Sequence, residues 1–139
     1  MNIVLNQGGV ALFIDYGFVH NVAGDTLQAV KDHAYCNPLD YAGEADITAH
    51  VNFAEISTIA MEKNMMVHGA VSQSDYLQRL GISIREGLLS ENLDEMGRCK
   101  IAQDVKRLIG TDTHNNEMGQ LFKVIAFASD PTIELAGFK

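Results

Sequence analysis

Apolar residues along this chain follow two different periods. Val10 to Ile14 is an unbroken apolar run between Gly8-Gly9 and Asp15-Tyr16-Gly17. Such a run, closed by turn residues on both sides, predicts a strand buried on both faces, as in a parallel sheet covered by helices. Before it, Ile3 to Leu5 is only a short apolar scrap leading into a turn at Asn6 to Gly9. Met66 to Val71 predicts a second strand, and Leu121 to Ala128, rich in β-branched and aromatic residues and closed by Pro131, a third. Elsewhere the period is helical. Asn52 with Glu55 three residues on forms a capping-box variant, Val51 and Ile56 supply the flanking apolar contact, and Phe53, Ile56, Ile59 and Ala60 share one face up to about Asn64. Ser72 and Asp75 repeat that start, with Val71 facing Tyr76 and Gly81 as the stop. From Ser83 to Ile109 the pattern predicts two helices or one kinked helix. Leu88, Leu89, Leu93 and Met96 precede Gly97, and Ile101, Val105, Leu108 and Ile109 follow it. Leu88 to Glu95, with its acidic residues, reads as a solvated face, and Thr111 to Gly119 as a polar loop.

Between Gly17 and Asn52 no period holds. The stretch is rich in Gly, Asp, Asn and His, and its aromatics Phe18, Tyr35 and Tyr41 predict a long ordered loop of the functional kind. The order of elements is that of an α/β fold, and residues 1–139 are expected to form one α/β unit with no second domain.

Composition narrows the partners. A formal charge of −8 and a pI near 4.9 set up a field that repels phosphate backbones and anionic headgroups, so neither nucleic acid nor a membrane is expected as partner. No apolar run approaches the roughly 20 residues of a bilayer-spanning helix. Cys36 and Cys99 stand far apart in a chain with no signal peptide, which predicts free thiols in a reducing compartment.

Candidate chemistry is sparse. There is no G-x-G-x-x-G and no phosphate-binding loop, because Gly8-Gly9 precedes a strand where such a loop would follow one. His20, His33, His50, His68 and His114 show no i,i+4 pairing, and His33 with Cys36 has no second half at zinc spacing, so no metal is expected. Asp15, at the end of the Val10 run, stands where open α/β sheets place functional groups, although capping of the next turn explains it equally well. The densest polar cluster is Gly43 to Asn52, where Glu44, Asp46 and His50 precede the capped helix; local capping by Asp46, Thr48 and Asn52 is the alternative.

Four blocks taken in order are more specific than any one of them: Gly8-Gly9-x-x-Leu12-Phe13-Ile14-Asp15-Tyr16-Gly17, Gly24 to Val30, Gly43 to Phe53, and Met118-Gly119-x-Leu121-Phe122-Lys123-Val124. Together they resemble the MidA family of S-adenosylmethionine-dependent methyltransferases, whose mitochondrial member is a complex I assembly factor that dimethylates an arginine. The resemblance implies the C-terminal part of a class I (Rossmann-like) methyltransferase fold: a mixed sheet in which the Val10 strand is the fifth of seven, Met66 to Val71 and Leu121 to Ala128 supply the last two, and the final strand is antiparallel. In the family this region follows the glycine-rich cofactor loop. S-adenosylmethionine is accordingly the cofactor of the complete enzyme and none is expected for this chain alone, its cofactor-binding residues being unknown.

By the same resemblance the reaction is methyl transfer to a protein arginine, and the chain is inactive until joined to the cofactor-binding half. Its expected partners are that half, a protein substrate, or a second copy meeting the open edge of the Val10 strand. A cationic guanidinium calls for carboxylates, which implies Asp15, Asp46 and His50 as catalytic residues and Tyr16, Asp25 and Glu44 as substrate contacts. The implied location is the cytoplasm in a bacterium or the mitochondrion in a eukaryote, with no presequence in these residues. A non-catalytic interaction module derived from that fold is the competing expectation.

Overall fold

The structure, a computed structural model, describes residues 2–20, 24–115 and 117–139. Its main sheet contains β1 (Val10–Phe18), β5 (Val51–Asn52), β6 (Met66–Ser72) and β7 (Phe122–Ala128) in the order β5-β1-β7-β6. β7 runs antiparallel to both neighbours, pairing with β1 from Val10↔Ala128 to Tyr16↔Phe122 and with β6 from Met66↔Ala128 to Ser72↔Lys123. The antiparallel last strand is the one implied by the family resemblance; its place between β1 and β6 is what the structure adds. Having a partner on each side, β7 buries Val124 to Ala128 completely or nearly so and forms the centre of the core.

The helices follow the expected signals. α2 (Phe53–Glu62) starts where Asn52 Oδ1 accepts from the Glu55 amide at 3.2 Å, and it packs Phe53 and Ala60 onto Met65, Ile125 and Phe127. α3 (Gln73–Arg79) starts at Ser72, whose Oγ accepts from the Asp75 amide at 3.0 Å and donates to Asp75 Oδ2 at 2.6 Å. Because Ser72 is buried, Ser72→Ala is expected to cost about 1–2 kcal/mol in urea unfolding, with Ser72→Thr keeping most of that stability. No change on Ser72→Ala would remove the cap from the account of α3.

Four expectations need correction. Ile3 to Leu5 is not a scrap: α1 (Asn2–Gln7) carries Val4 and Leu5 onto the core, an apolar pair too short to show a helical period. The long helical stretch divides into α4 (Ile82–Ser90) and α5 (Glu95–Ile109), with the break at Glu91 to Asp94 and not at Gly97. Asp94 caps α5 by accepting from the Gly97 amide at 2.9 Å, so part of the acidic run is a helix stop and start, not one solvated face. Thirdly, β1 is not flanked by parallel neighbours along its length. Parallel pairing is limited to Gly17↔Val51 and Phe18↔Asn52, which leaves Leu12, Phe13 and Ile14 48%, 52% and 49% exposed.

The fourth correction concerns the long loop, of which residues 21–23 lie outside the described residues. It holds a second, antiparallel sheet of β2 (Gln28–Lys31), β3 (Ala34–Cys36) and β4 (Asp46–Thr48), in the order β3-β2-β4. Strands this short show no readable alternation. The turn between β2 and β3 is Asp32-His33, both at positive φ (49° and 64°), so a primed hairpin turn is made without the glycine that usually announces it.

Candidate groove between the two sheets

Side chains alternate along β1, so Asp15 and Tyr16 leave the sheet on opposite faces. Tyr16 turns toward the small sheet. There it lines a groove of about 490 Å³ with Gln28, Val30, Tyr35, Asp46, Thr48 and His50 on one side and Thr113 and Leu121 on the other. The floor is one face of the small sheet: Val30 is the cross-strand partner of both Tyr35 and Asp46, and Gln28 of Thr48.

Each wall residue has a local reason for its position. The Tyr16 ring lies 4.3 Å from Phe122, centroid to centroid, and is roughly parallel to His50 at 6.5 Å and 21°. His50 is tied twice to the start of the small sheet. Its amide donates to Thr26 Oγ1 at 3.1 Å, and Gln28 Nε2 donates to its Nε2 at 3.2 Å. An amide nitrogen can only donate, so this contact needs the imidazole proton on Nδ1 and occupies the Nε2 lone pair.

Three of the six residues singled out in the sequence therefore meet: Tyr16, Asp46 and His50. The other three are elsewhere. Asp15 takes the Tyr16 amide on Oδ1 at 2.8 Å and lines a separate apolar hollow of about 210 Å³ with Phe13, Val51, Phe53, Ile56, Ile125 and Phe127, on the α2 side of the sheet. Its cross-strand neighbour Lys123 is partly buried, which lowers that ammonium's pKa, and its Nζ donates to the Gln120 carbonyl. Asp25 folds its own turn by accepting from the Leu27 amide at 2.9 Å. Glu44 accepts from Lys31 Nζ at 2.5 Å, and that ammonium sits 4.2 Å from the centre of the Tyr41 ring, a brace outside the groove.

Gln28, Val30, Tyr35 and Thr113 were not foreseen. Gln28 and Val30 were marked only by the alternation Gln28-Ala29-Val30, too short to be read, Tyr35 only as one of the loop's aromatics, and Thr113 reaches the groove through tertiary packing alone. Among the described residues no group of three or more His, Cys, Asp or Glu is placed to hold a metal, and no helix is long and apolar enough to cross a membrane.

Comparison with known proteins yields concordant findings. The model of a family of S-adenosyl-L-methionine-dependent methyltransferases matches residues 2–71. The mitochondrial protein arginine methyltransferase NDUFAF7 homolog of Drosophila melanogaster is 40% identical over 122 residues, 86% of this chain and 26% of the fly protein. The Danio rerio protein arginine methyltransferase NDUFAF7 is 28% identical over 120 residues, again 86% of this chain and 27% of the fish protein. A crystal structure of a Burkholderia thailandensis protein bound to S-adenosyl-homocysteine superposes with a TM-score of 0.73 at 33% identity, covering 94% of this chain and 33% of that one. The chain thus spans about a quarter of the length of the curated relatives it matches.

Proposed function

Because this chain belongs to the MidA-like family of S-adenosyl-L-methionine-dependent methyltransferases, we propose that it is the substrate-side, C-terminal portion of a protein arginine methyltransferase, inactive until joined to the cofactor-holding part. The observation that carries this reading is the juxtaposition of two features on β1. Its Tyr16 end opens onto a groove with a carboxylate and aromatic walls, while the Val10 to Ile14 edge away from β7 has no strand partner among the described residues and exposes apolar side chains. An edge of that kind is normally covered, and a further parallel strand of the family sheet would cover it.

S-adenosylmethionine, when bound, supplies an electrophilic methyl carbon on a sulfonium. Its α-carboxylate asks for a cation or a backbone nest, and among the described residues the groove lining contains neither Lys nor Arg. The groove therefore suits the arginine, and the cofactor is assigned to the polypeptide beyond the open edge. In this reading Asp46 pairs with the guanidinium, Tyr16 holds it flat and excludes water, and His50 receives the departing proton at Nε2 once the Gln28 amide is displaced. Asp15 faces away, and Asp25 and Glu44 support the small sheet. The relatives named as arginine methyltransferases are described as mitochondrial, so a eukaryotic source would put this protein there too.

Calorimetry with S-adenosyl-homocysteine tests the division of labour. The 139-residue chain alone is expected to give no binding heat, and the chain produced with polypeptide matching the rest of its relatives is expected to bind and to methylate arginine in a protein acceptor. Tight binding by the chain alone defeats the division, and methylation confined to another residue type defeats the substrate assignment. The exposed apolar edge also favours a second reading, a non-catalytic module that associates through β1. Stable dimers of the chain that disperse on Leu12→Lys, together with no methylation after joining, would favour that one.

A further inference from the structure

We infer that the three-stranded sheet is a guanidinium receptor, in which Tyr35 covers and Asp46 neutralises a planar cation lying over Val30. The inference rests on the arginine reading above and deepens it by naming the recognition element. Tyr35 on β3 and Asp46 on β4 share Val30 on β2 as cross-strand partner. All three side chains therefore stand on one face, and strand spacing puts the outer two Cα atoms roughly 10 Å apart. That span accommodates a guanidinium resting on the Val30 methyls, its face against the phenol ring and its paired N–H groups toward the carboxylate.

Two further observations point to a ligand. Tyr35 is 80% exposed and belongs to the groove lining, so a large aromatic face stands open at the cleft. Among the described residues Asp46 is the only carboxylate in that lining and no cation pairs with it. Lys31, the cation of the same sheet, sits one residue out of phase with Val30 and is committed to Glu44 and Tyr41. The far wall continues the aromatic theme through Tyr16, tilted against Phe122 and roughly parallel to His50.

Such a slot discriminates by shape. A guanidinium is planar, weakly hydrated and able to give two parallel hydrogen bonds to one carboxylate while stacking on a ring, whereas an ammonium is compact and strongly hydrated. The receptor accordingly takes arginine side chains of a protein and rejects lysine.

The test is an NMR titration of the 139-residue chain with Nα-acetyl-L-arginine amide, in parallel with the lysine and citrulline analogues. The arginine analogue is expected to move the amides of β2 and β4 and the Tyr35 ring signals, with the other two binding more weakly. Asp46→Asn should weaken the arginine analogue by at least about tenfold, the loss of a charge-assisted hydrogen bond. Tyr35→Leu should weaken it by roughly two- to fivefold and Tyr35→Phe should not, because the ring face is retained. An unaltered amide pattern for β1 and β7 in each variant shows that the fold is intact. No binding of the arginine analogue, equal binding of the lysine analogue, or indifference to both Asp46→Asn and Tyr35→Leu overturns the receptor. Failure of the underlying reading looks different. Arginine binding that needs Asp46 and Tyr35, combined with no arginine methylation by the joined enzyme, overturns the proposed activity alone. Arginine methylation indifferent to both variants overturns the receptor alone.

Discussion

Phe53→Ala is expected to lower the unfolding free energy by about 3–5 kcal/mol, the usual cost of deleting a buried phenyl ring. Phe53 is 1% exposed and belongs to the core with Ala60, Met65, Ile125 and Phe127. It also borders the 210 Å³ hollow shared with Phe13, Ile56 and Phe127. Removing the ring would therefore merge the new void with a space already poorly filled, which limits how far the neighbours can collapse to compensate. A single domain rarely has more than 5–15 kcal/mol in total, so a large share of the stability disappears. Chemical denaturation should show the midpoint shifting strongly, and Phe53→Leu should lose much less. An alanine variant as stable as the parent would mean that α2 is not anchored on the sheet through this ring.

Gly17→Val is the second large effect, and its cause is space alone. A Cβ at Gly17 would stand 2.3 Å from the Val51 carbonyl oxygen and 2.6 Å from the Phe53 ring. The first contact is with backbone and cannot be relieved by a rotamer change. β1 and β5 would have to separate at Gly17↔Val51, one of the two parallel pairs that join them. Overpacking of this kind costs about 1–3 kcal/mol or more. It should also disturb the groove, because His50 directly precedes Val51 and is held near Tyr16 by the same join. Denaturation and the Tyr16 and His50 ring signals should change together. Loss of stability with those signals unmoved would separate the β1–β5 join from the groove.

Several elements could be read from residues alone because their determinants are local. Asn52 with Glu55 and Ser72 with Asp75 make their hydrogen bonds within one turn, so their spacing is the whole of the signal. β7 could be read for a related reason. A strand paired on both sides buries nearly everything it carries, and its sequence is continuously apolar. β1 carries the same signature, and there it misled as to burial in this chain, since the run reports the environment that the strand requires and not the neighbours these residues supply.

The small sheet and the site lay beyond that reach. β2, β3 and β4 are three or four residues long, and the hairpin turn at Asp32-His33 uses no glycine, so neither periodicity nor turn chemistry marked them. Of the six residues marked for function, Tyr16, Asp46 and His50 converge on the groove while Asp15 is directed to the other face by its position one residue earlier on β1. Type and approximate place of each polar group were written in the chain. By itself the sequence determined the helix starts, the strand that forms the core and, through its ordered blocks, the methyltransferase family, because these depend on neighbours within a few residues or on a pattern spread along the whole chain. Only the tertiary structure decided which carboxylate faces Tyr16, that Tyr35 stands across Val30 from Asp46, and that one edge of β1 is open. Each of these depends on strand register, and a shift of one residue exchanges the two faces of a strand without altering its composition.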